Sequence, residues 1–167
     1  MTVLLDLRRV FLNENTVMQL RTDVAVSEAG ADVAFEGETV AADIKVENRA
    51  GFVEFTADVS FVYRFDCDRC ASAVSRTFKY RFRHILVTRL SDESGDDHIE
   101  TPDYKLDTDS LLRDDILLEL PSKLLCKEDC KGLCLKCGNN LNESSCGCDR
   151  READPRLAAL RQLLSEQ

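Results

Sequence analysis

The sequence predicts an α+β fold: an antiparallel β-sheet or meander with peripheral helices and a cysteine-rich, zinc-binding C-terminal segment. Three observations carry this reading. Residues 53–65 and 78–86 alternate apolar and polar with period two, the mark of strands with one buried face. Residues 107–121 place leucines at helical spacing between a capping aspartate and a proline. Six of the eight cysteines crowd into "LLCKEDCKGLCLKCGNNLNESSCGCD" (124–149), and the other two sit in "FDCDRC".

In chain order, "VLLDLRRVFLNENTVMQLR" fits either a strand and a helix or two short strands. "SEAGADVAFEGE" supplies a turn and a short strand. Val40, Ala42, Ile44 and Val46 alternate, and "NRAG" turns the chain. Val53, Phe55, Ala57, Val59, Phe61, Tyr63 and Phe65 then share one face. After the first cysteine pair, Phe78, Tyr80, Phe82, His84 and Leu86 do the same, with Lys79, Arg81 and Arg83 opposite. Cys67 and Cys70 therefore lie near a hairpin tip. Residues 91–103 read as an acidic loop in which His98 is solvated. A helix follows, capped by Asp107 or Asp109, ended by Pro121, with Leu111, Leu112, Ile116, Leu117 and Leu120 as its apolar stripe. Asp114 and Asp115 on that helix are expected in solvent. "ADPRLAALRQLLSEQ" reads as a C-terminal helix capped by Asp154. The expected divisions are an α+β domain over 1–121, a zinc-binding segment over 122–150 packed on it, and the helix over 151–167.

A chain of 167 residues, 44% hydrophobic and 32% charged, is of globular type. No apolar run nears the roughly 20 residues of a membrane helix, and the N-terminus lacks signal-peptide features. A cytoplasmic location, with no membrane partner, is expected. In a reducing compartment eight cysteines point to metal rather than to disulfides. The net charge of -9 argues against indiscriminate nucleic-acid binding, but it is unevenly spread. Residues 64–89 hold seven basic and two acidic residues, and residues 90–120 hold two basic and eleven acidic ones. Such polarity marks an interaction surface, or else two segments that face each other.

Two cysteines separated by two residues reach one tetrahedral ion when the backbone makes a tight knuckle, and a following glycine helps. "CLKCG" at 134–138 has that form, and "CGC" at 146–148 supplies two more thiolates. Cys134, Cys137, Cys146 and Cys148 then make one site, and Cys67, Cys70, Cys126 and Cys130 a second. An alternative groups Cys126, Cys130, Cys134 and Cys137. The first division is favoured because it gives every thiol a partner. One or two zinc ions are expected; iron–sulfur ligation and a thiol switch at Cys67 and Cys70, beside Arg64 and Arg69, are the alternatives. A four-thiolate zinc is closed and structural. Neither a phosphate-binding loop, nor a dinucleotide fingerprint, nor H-E-x-x-H occurs, so no enzyme and no small-molecule substrate are expected.

The pairing of "FDCDRCAS" with "LCKEDCKGLCLKCGNNLNESSCGCD", together with "LLDLRRVF", resembles the YceD family. The resemblance implies a role in accumulation of large-subunit ribosomal RNA, through its synthesis, processing or stability. It carries over the eight cysteines as zinc ligands and no catalytic residue. Phosphate contacts to ribosomal RNA or an early large-subunit precursor are then expected from Arg64, Arg69, Arg76, Lys79, Arg81 and Arg83. A competing expectation is an adaptor whose acidic 91–119 region binds a basic ribosomal protein.

Overall fold

A computed structural model of the chain describes residues 4–26, 34–90 and 98–148. The helix expected over 151–167 lies outside them. The chain divides into two compact units: Met1–Phe65 with Ala73–Lys123, and Asp66–Ser72 with the chain from Leu124 onward.

The first unit is mostly β, so the α+β expectation holds only in part. Its elements are β1 (Leu4–Asp6), α1 (Arg8–Leu12), β2 (Val17–Ala25), β3 (Ala34–Phe35), β4 (Thr39–Arg49), β5 (Phe52–Asp66), β6 (Ala73–Val87), β7 (His98–Glu100), β8 (Lys105–Asp107) and α2 (Thr108–Glu119). The ambiguous N-terminus resolves as strand, short helix, strand. The main sheet runs β2-β4-β5-β6-β7, with β3 beside the far part of β5, and β1 pairs with β8 separately. β4 and β5 are joined by a two-residue turn, Ala50–Gly51, with both residues at positive φ. That matches the primed turns that suit twisted hairpins.

The antiparallel expectation fails at one edge. β7 runs parallel to β6, with Ile85 opposite His98. Thr101 is fully buried and locks this register, since its N–H and its hydroxyl both donate to the Val87 carbonyl, at 2.8 and 3.0 Å. His98 therefore starts a strand instead of lying in a solvated loop.

Period-two alternation delivers the core. Val40, Ala42, Ile44 and Val46 of β4 and Val53, Phe55, Ala57, Val59 and Phe61 of β5 are buried on one face, with Leu112 and Ile116 of α2 and Val10 of α1. α2 begins where expected: the Asp107 carboxylate accepts the Ser110 N–H at 3.0 Å. Asp115 does not lie in solvent. It meets His84 Nε2 at 2.8 Å, and both side chains are about 15% exposed or less.

One buried polar residue ties α1 to the sheet. Asn48 continues the apolar row of β4 and is 1% exposed. Its amide donates to the Val10 carbonyl at 2.8 Å, and its carbonyl accepts the Gly51 N–H at 3.1 Å. Asn48→Ala leaves those groups unsatisfied. It should cost about 2–3 kcal/mol, seen as a lower urea midpoint at unchanged m-value.

The opposite face of the sheet is a lattice of charge. Asp43 lies opposite Asp58 across β4 and β5, an unfavourable pairing, but Arg21 of β2 and Arg81 of β6 hold the outer sides. Glu47 lies opposite Glu54, flanked by Lys45, Arg49 and Arg83. Hydrogen bonds from Arg49 and then Lys45 pull the Glu47 carboxyl from 4.5 to about 2. A lowered carboxyl pKa stabilises the fold above pH 4.5, and this contribution fades as the pH falls towards 2. Glu47→Gln should therefore be less stable than the parent at neutral pH, with the two converging in acid unfolding near pH 2.

Candidate metal centres

The second unit gathers the cysteines. All eight are thiols, and they form two quartets: Cys67, Cys70, Cys126 and Cys130, and Cys134, Cys137, Cys146 and Cys148. Within each quartet the sulfurs lie within 4.8 Å of one another. This is the division preferred above because it gives every thiol a partner.

Each quartet is built on a knuckle. In the first, the Ala71 N–H donates to the Cys67 carbonyl at 2.8 Å; in the second, the Gly138 N–H donates to the Cys134 carbonyl at 2.8 Å. The residue after the second cysteine turns to positive φ in both, 53° at Ala71 and 72° at Gly138. Backbone N–H groups then aim at the leading sulfur. Burial opposes ionisation of Cys67, but N–H groups of Cys126, Arg69 and Cys70 bring its thiol down to about 6. At Cys134 the N–H of Cys137, then that of Lys136, holds the thiol down to about 6. Burial first, then the neighbouring thiols, pushes Cys126 up to about 12.

The separations suit one ion. Four sulfurs about 2.3 Å from a shared tetrahedral zinc stand about 3.8 Å apart. Cys67 Sγ is 3.8 Å from Cys130 Sγ, and Cys70 Sγ is 3.6 Å from Cys126 Sγ. A disulfide would need about 2.05 Å. The donor set therefore fits a single four-coordinate metal in the first quartet.

Side chains outside the first quartet brace it: sequence reasoning missed Asn140, Asn142 and Ser72, and placed Arg69 beside these cysteines without this role. Asn142 Nδ2 donates to Cys130 Sγ at 3.3 Å and to Asn140 Oδ1 at 2.9 Å, while Asn142 Oδ1 accepts the Lys131 N–H at 2.9 Å. Ser72 Oγ lies 3.3 Å from Cys70 Sγ and accepts from Asn140 at 3.4 Å. The Arg69 guanidinium donates to the Cys130 carbonyl at 2.9 Å. The Leu133 N–H donates to the Arg69 carbonyl at 3.0 Å. The available signal was the run of asparagines in "GNNLNESS", which reads first as turn chemistry.

A family model described as "Large ribosomal RNA subunit accumulation protein YceD" matches residues 55–164, a span containing both quartets. The chain belongs to the YceD family. Similar proteins include the chloroplastic large ribosomal RNA subunit accumulation protein YCED homolog 1 of Arabidopsis thaliana, 26% identical over 81% of this chain and 54% of that protein. The Zea mays protein of the same name is 44% identical over 67% of the chain and 49% of its own length. An uncharacterized protein of Mycobacterium tuberculosis is 31% identical over 77% of the chain and 64% of its length. The chain thus spans between about half and two thirds of these relatives. No solved structure matches it.

The basic residues of this YceD chain do not form one open patch. Arg81 makes two hydrogen bonds to Asp58, at 2.7 and 3.1 Å, and Arg83 meets Glu54 at 2.9 Å. Arg64 pairs with Glu36. Alternation puts Arg76 on the aromatic face of β6, with its guanidinium 5.7 Å from the Phe65 ring centre. Lys79 is exposed beside Arg81 in a groove also lined by Arg21 and Asp43. Arg69 belongs to the second unit, where it serves Cys130. Arg64, Arg81 and Arg83 are thus matched by acids, the last two by acids of β5 across the sheet.

No helix among the described residues is long and apolar enough to cross a membrane.

Proposed function

We propose that this chain is a non-catalytic, zinc-stapled factor that supports accumulation of large-subunit ribosomal RNA by contacting that RNA or an early precursor particle. The observation that carries it is the pair of all-thiol quartets in a chain of the YceD family. Zinc suits them better than an iron–sulfur cluster. Thiolates of a cluster sit on different irons and stand farther apart than thiolates sharing one ion, whereas 3.6 and 3.8 Å suit a shared ion. Bound there, zinc would supply cross-linking, since four thiolates leave no position for substrate. A location in the cytoplasm goes with this reading, because a reducing compartment keeps the thiols available.

Lys79, Arg81 and Arg83 on the outer face of β6 are the phosphate contacts in this reading. The Asp58 carboxylate that Arg81 meets is exposed and the Glu54 carboxylate that Arg83 meets is half-buried, so phosphate can take the place of the first at little cost and of the second at more. Arg81→Gln with Arg83→Gln should leave folding intact and lower the slope of log affinity against log salt by about two for a large-subunit precursor transcript. Unchanged affinity and slope would remove β6 as the RNA surface. The pairing of Arg81 with Asp58 and Arg83 with Glu54 favours a second reading, in which the acidic 91–119 region binds a basic ribosomal protein and RNA contact is indirect.

A further inference from the structure

We infer that the two quartets hold metal on different terms: the first ion is permanent, and the quartet of Cys134, Cys137, Cys146 and Cys148 is an exchangeable zinc site that reacts with hydroperoxide. This rests on the zinc reading above.

Access separates the two. Cys67, Cys70 and Cys130 are 2, 5 and 3% exposed, so three of the four sulfurs in the first quartet are shielded from solvent. In the second, only Cys134 is buried; Cys146 and Cys148 are half-buried and Cys137 is exposed. A solvent-borne reagent therefore meets Cys137 first.

Connectivity separates them as well. Cys67 and Cys130 are 63 residues apart, so the first ion closes a long loop. The second quartet lies within residues 134–148. The loop between its two halves is held without metal. Asn139 donates to the Ser144 carbonyl at 3.0 Å, Asn140 donates to Glu143 at 2.8 Å, and the Ser144 N–H donates to the Asn140 carbonyl at 3.2 Å. Asn140 and Asn142 in this loop brace the first quartet. Releasing the second ion thus leaves the brace of the first in place.

The oxidation balances. One hydroperoxide takes two electrons from two zinc-bound thiolates, Cys137 and one neighbour. The two sulfurs join in a disulfide, the O–O bond breaks, and the oxygens take up two protons and leave as water, or as water and an alcohol. Zinc, left with two thiolates, departs. A thiol reductant reverses the disulfide, and zinc returns. The thiol switch thereby moves from Cys67 and Cys70, where the sequence suggested it, to the exposed quartet.

The test treats the zinc-loaded full chain with hydrogen peroxide, reads metal content by native mass spectrometry, and maps disulfides and maleimide-labelled cysteines in the digested protein. The expected result is loss of one zinc per chain, one disulfide containing Cys137, and no modification of Cys67, Cys70, Cys126 or Cys130 before denaturation. Both ions leaving together would overturn the inference. So would first oxidation within the Cys67 quartet, or retention of both ions at peroxide that oxidises a control peptide thiol. Protein that carries no zinc before treatment would overturn the zinc reading itself, which is a different result.

Discussion

Cys130→Ser should reduce the chain from two zinc ions to one and unfold the segment that Cys126 and Cys130 anchor. Cys130 is 3% exposed, and its sulfur stands 3.8 Å from that of Cys67 across 63 residues of chain. Structural zinc in small domains is worth roughly 10–16 kcal/mol of apparent binding energy at neutral pH, and that energy is folding energy. Serine keeps the size but supplies no thiolate, so the ion loses a quarter of its ligands in a buried site. Asn142→Ala provides the graded companion. It removes only the amide that donates to Cys130 Sγ at 3.3 Å. Outer partners of this kind are worth about 10–100-fold in metal affinity. Competition against a chromophoric chelator should then show the first ion held about 10–100-fold more weakly in Asn142→Ala, with two ions still bound at saturating zinc, and no tight first site at all in Cys130→Ser. Equal affinity in the parent and both variants would mean that this quartet does not bind zinc.

Gly132→Ala should be the most damaging glycine substitution among the described residues of the second unit. Gly132 sits at φ +73°, and a Cβ there would stand 2.9 Å from the Arg69 carbonyl oxygen. That oxygen also accepts the Leu133 N–H, so it has no room to yield. Left-handed backbone costs an alanine about 1–2 kcal/mol, and a clash with backbone adds about 1–3. The zinc-loaded protein should lose roughly 2–5 kcal/mol of stability. Gly138→Ala is the internal control. Its φ is +72°, but nothing lies within 4 Å of the position its methyl group would take. Only the backbone cost of about 1–2 kcal/mol then applies. Thermal unfolding of both variants isolates the Arg69 contact as the difference between them, and equal losses would show that the contact does not constrain the segment.

The parts of this molecule that follow from local rules were legible in the sequence. Alternation along β4, β5 and β6 named the buried face, because a sheet covered on one side imposes period two residue by residue. The start of α2 was legible to within two residues, with Asp107 or Asp109 as its cap, and the Ser110 N–H bond picks out Asp107. The cysteine spacing showed the knuckles, because a knuckle is a local structure, but it left two divisions of the thiols open, and the preferred one rested on giving every thiol a partner. What the sequence concealed depends on neighbours remote in the chain. His98 looked like part of an acidic loop, yet pairing with β6 makes it a strand residue. Asp115 looked solvated until His84, 31 residues away, was placed beside it. Asn48 occupies an apolar position in the alternation, and its amide's bond to the Val10 carbonyl of α1, 38 residues away, could not be read from the sequence. The glycine rule found the second knuckle through Gly138, whereas the first places Ala71 in the same left-handed conformation. Likewise, the basic character of β6 was plain, but alternation alone could not show that its arginines meet acids of β5 across the sheet.

The central claim is that both quartets hold zinc. Native mass spectrometry of the full chain, purified under reducing conditions without chelator and paired with elemental analysis, tests it most directly. The account predicts two zinc ions per chain, one for each quartet. Protein of the same preparation that is folded and free of metal would contradict it.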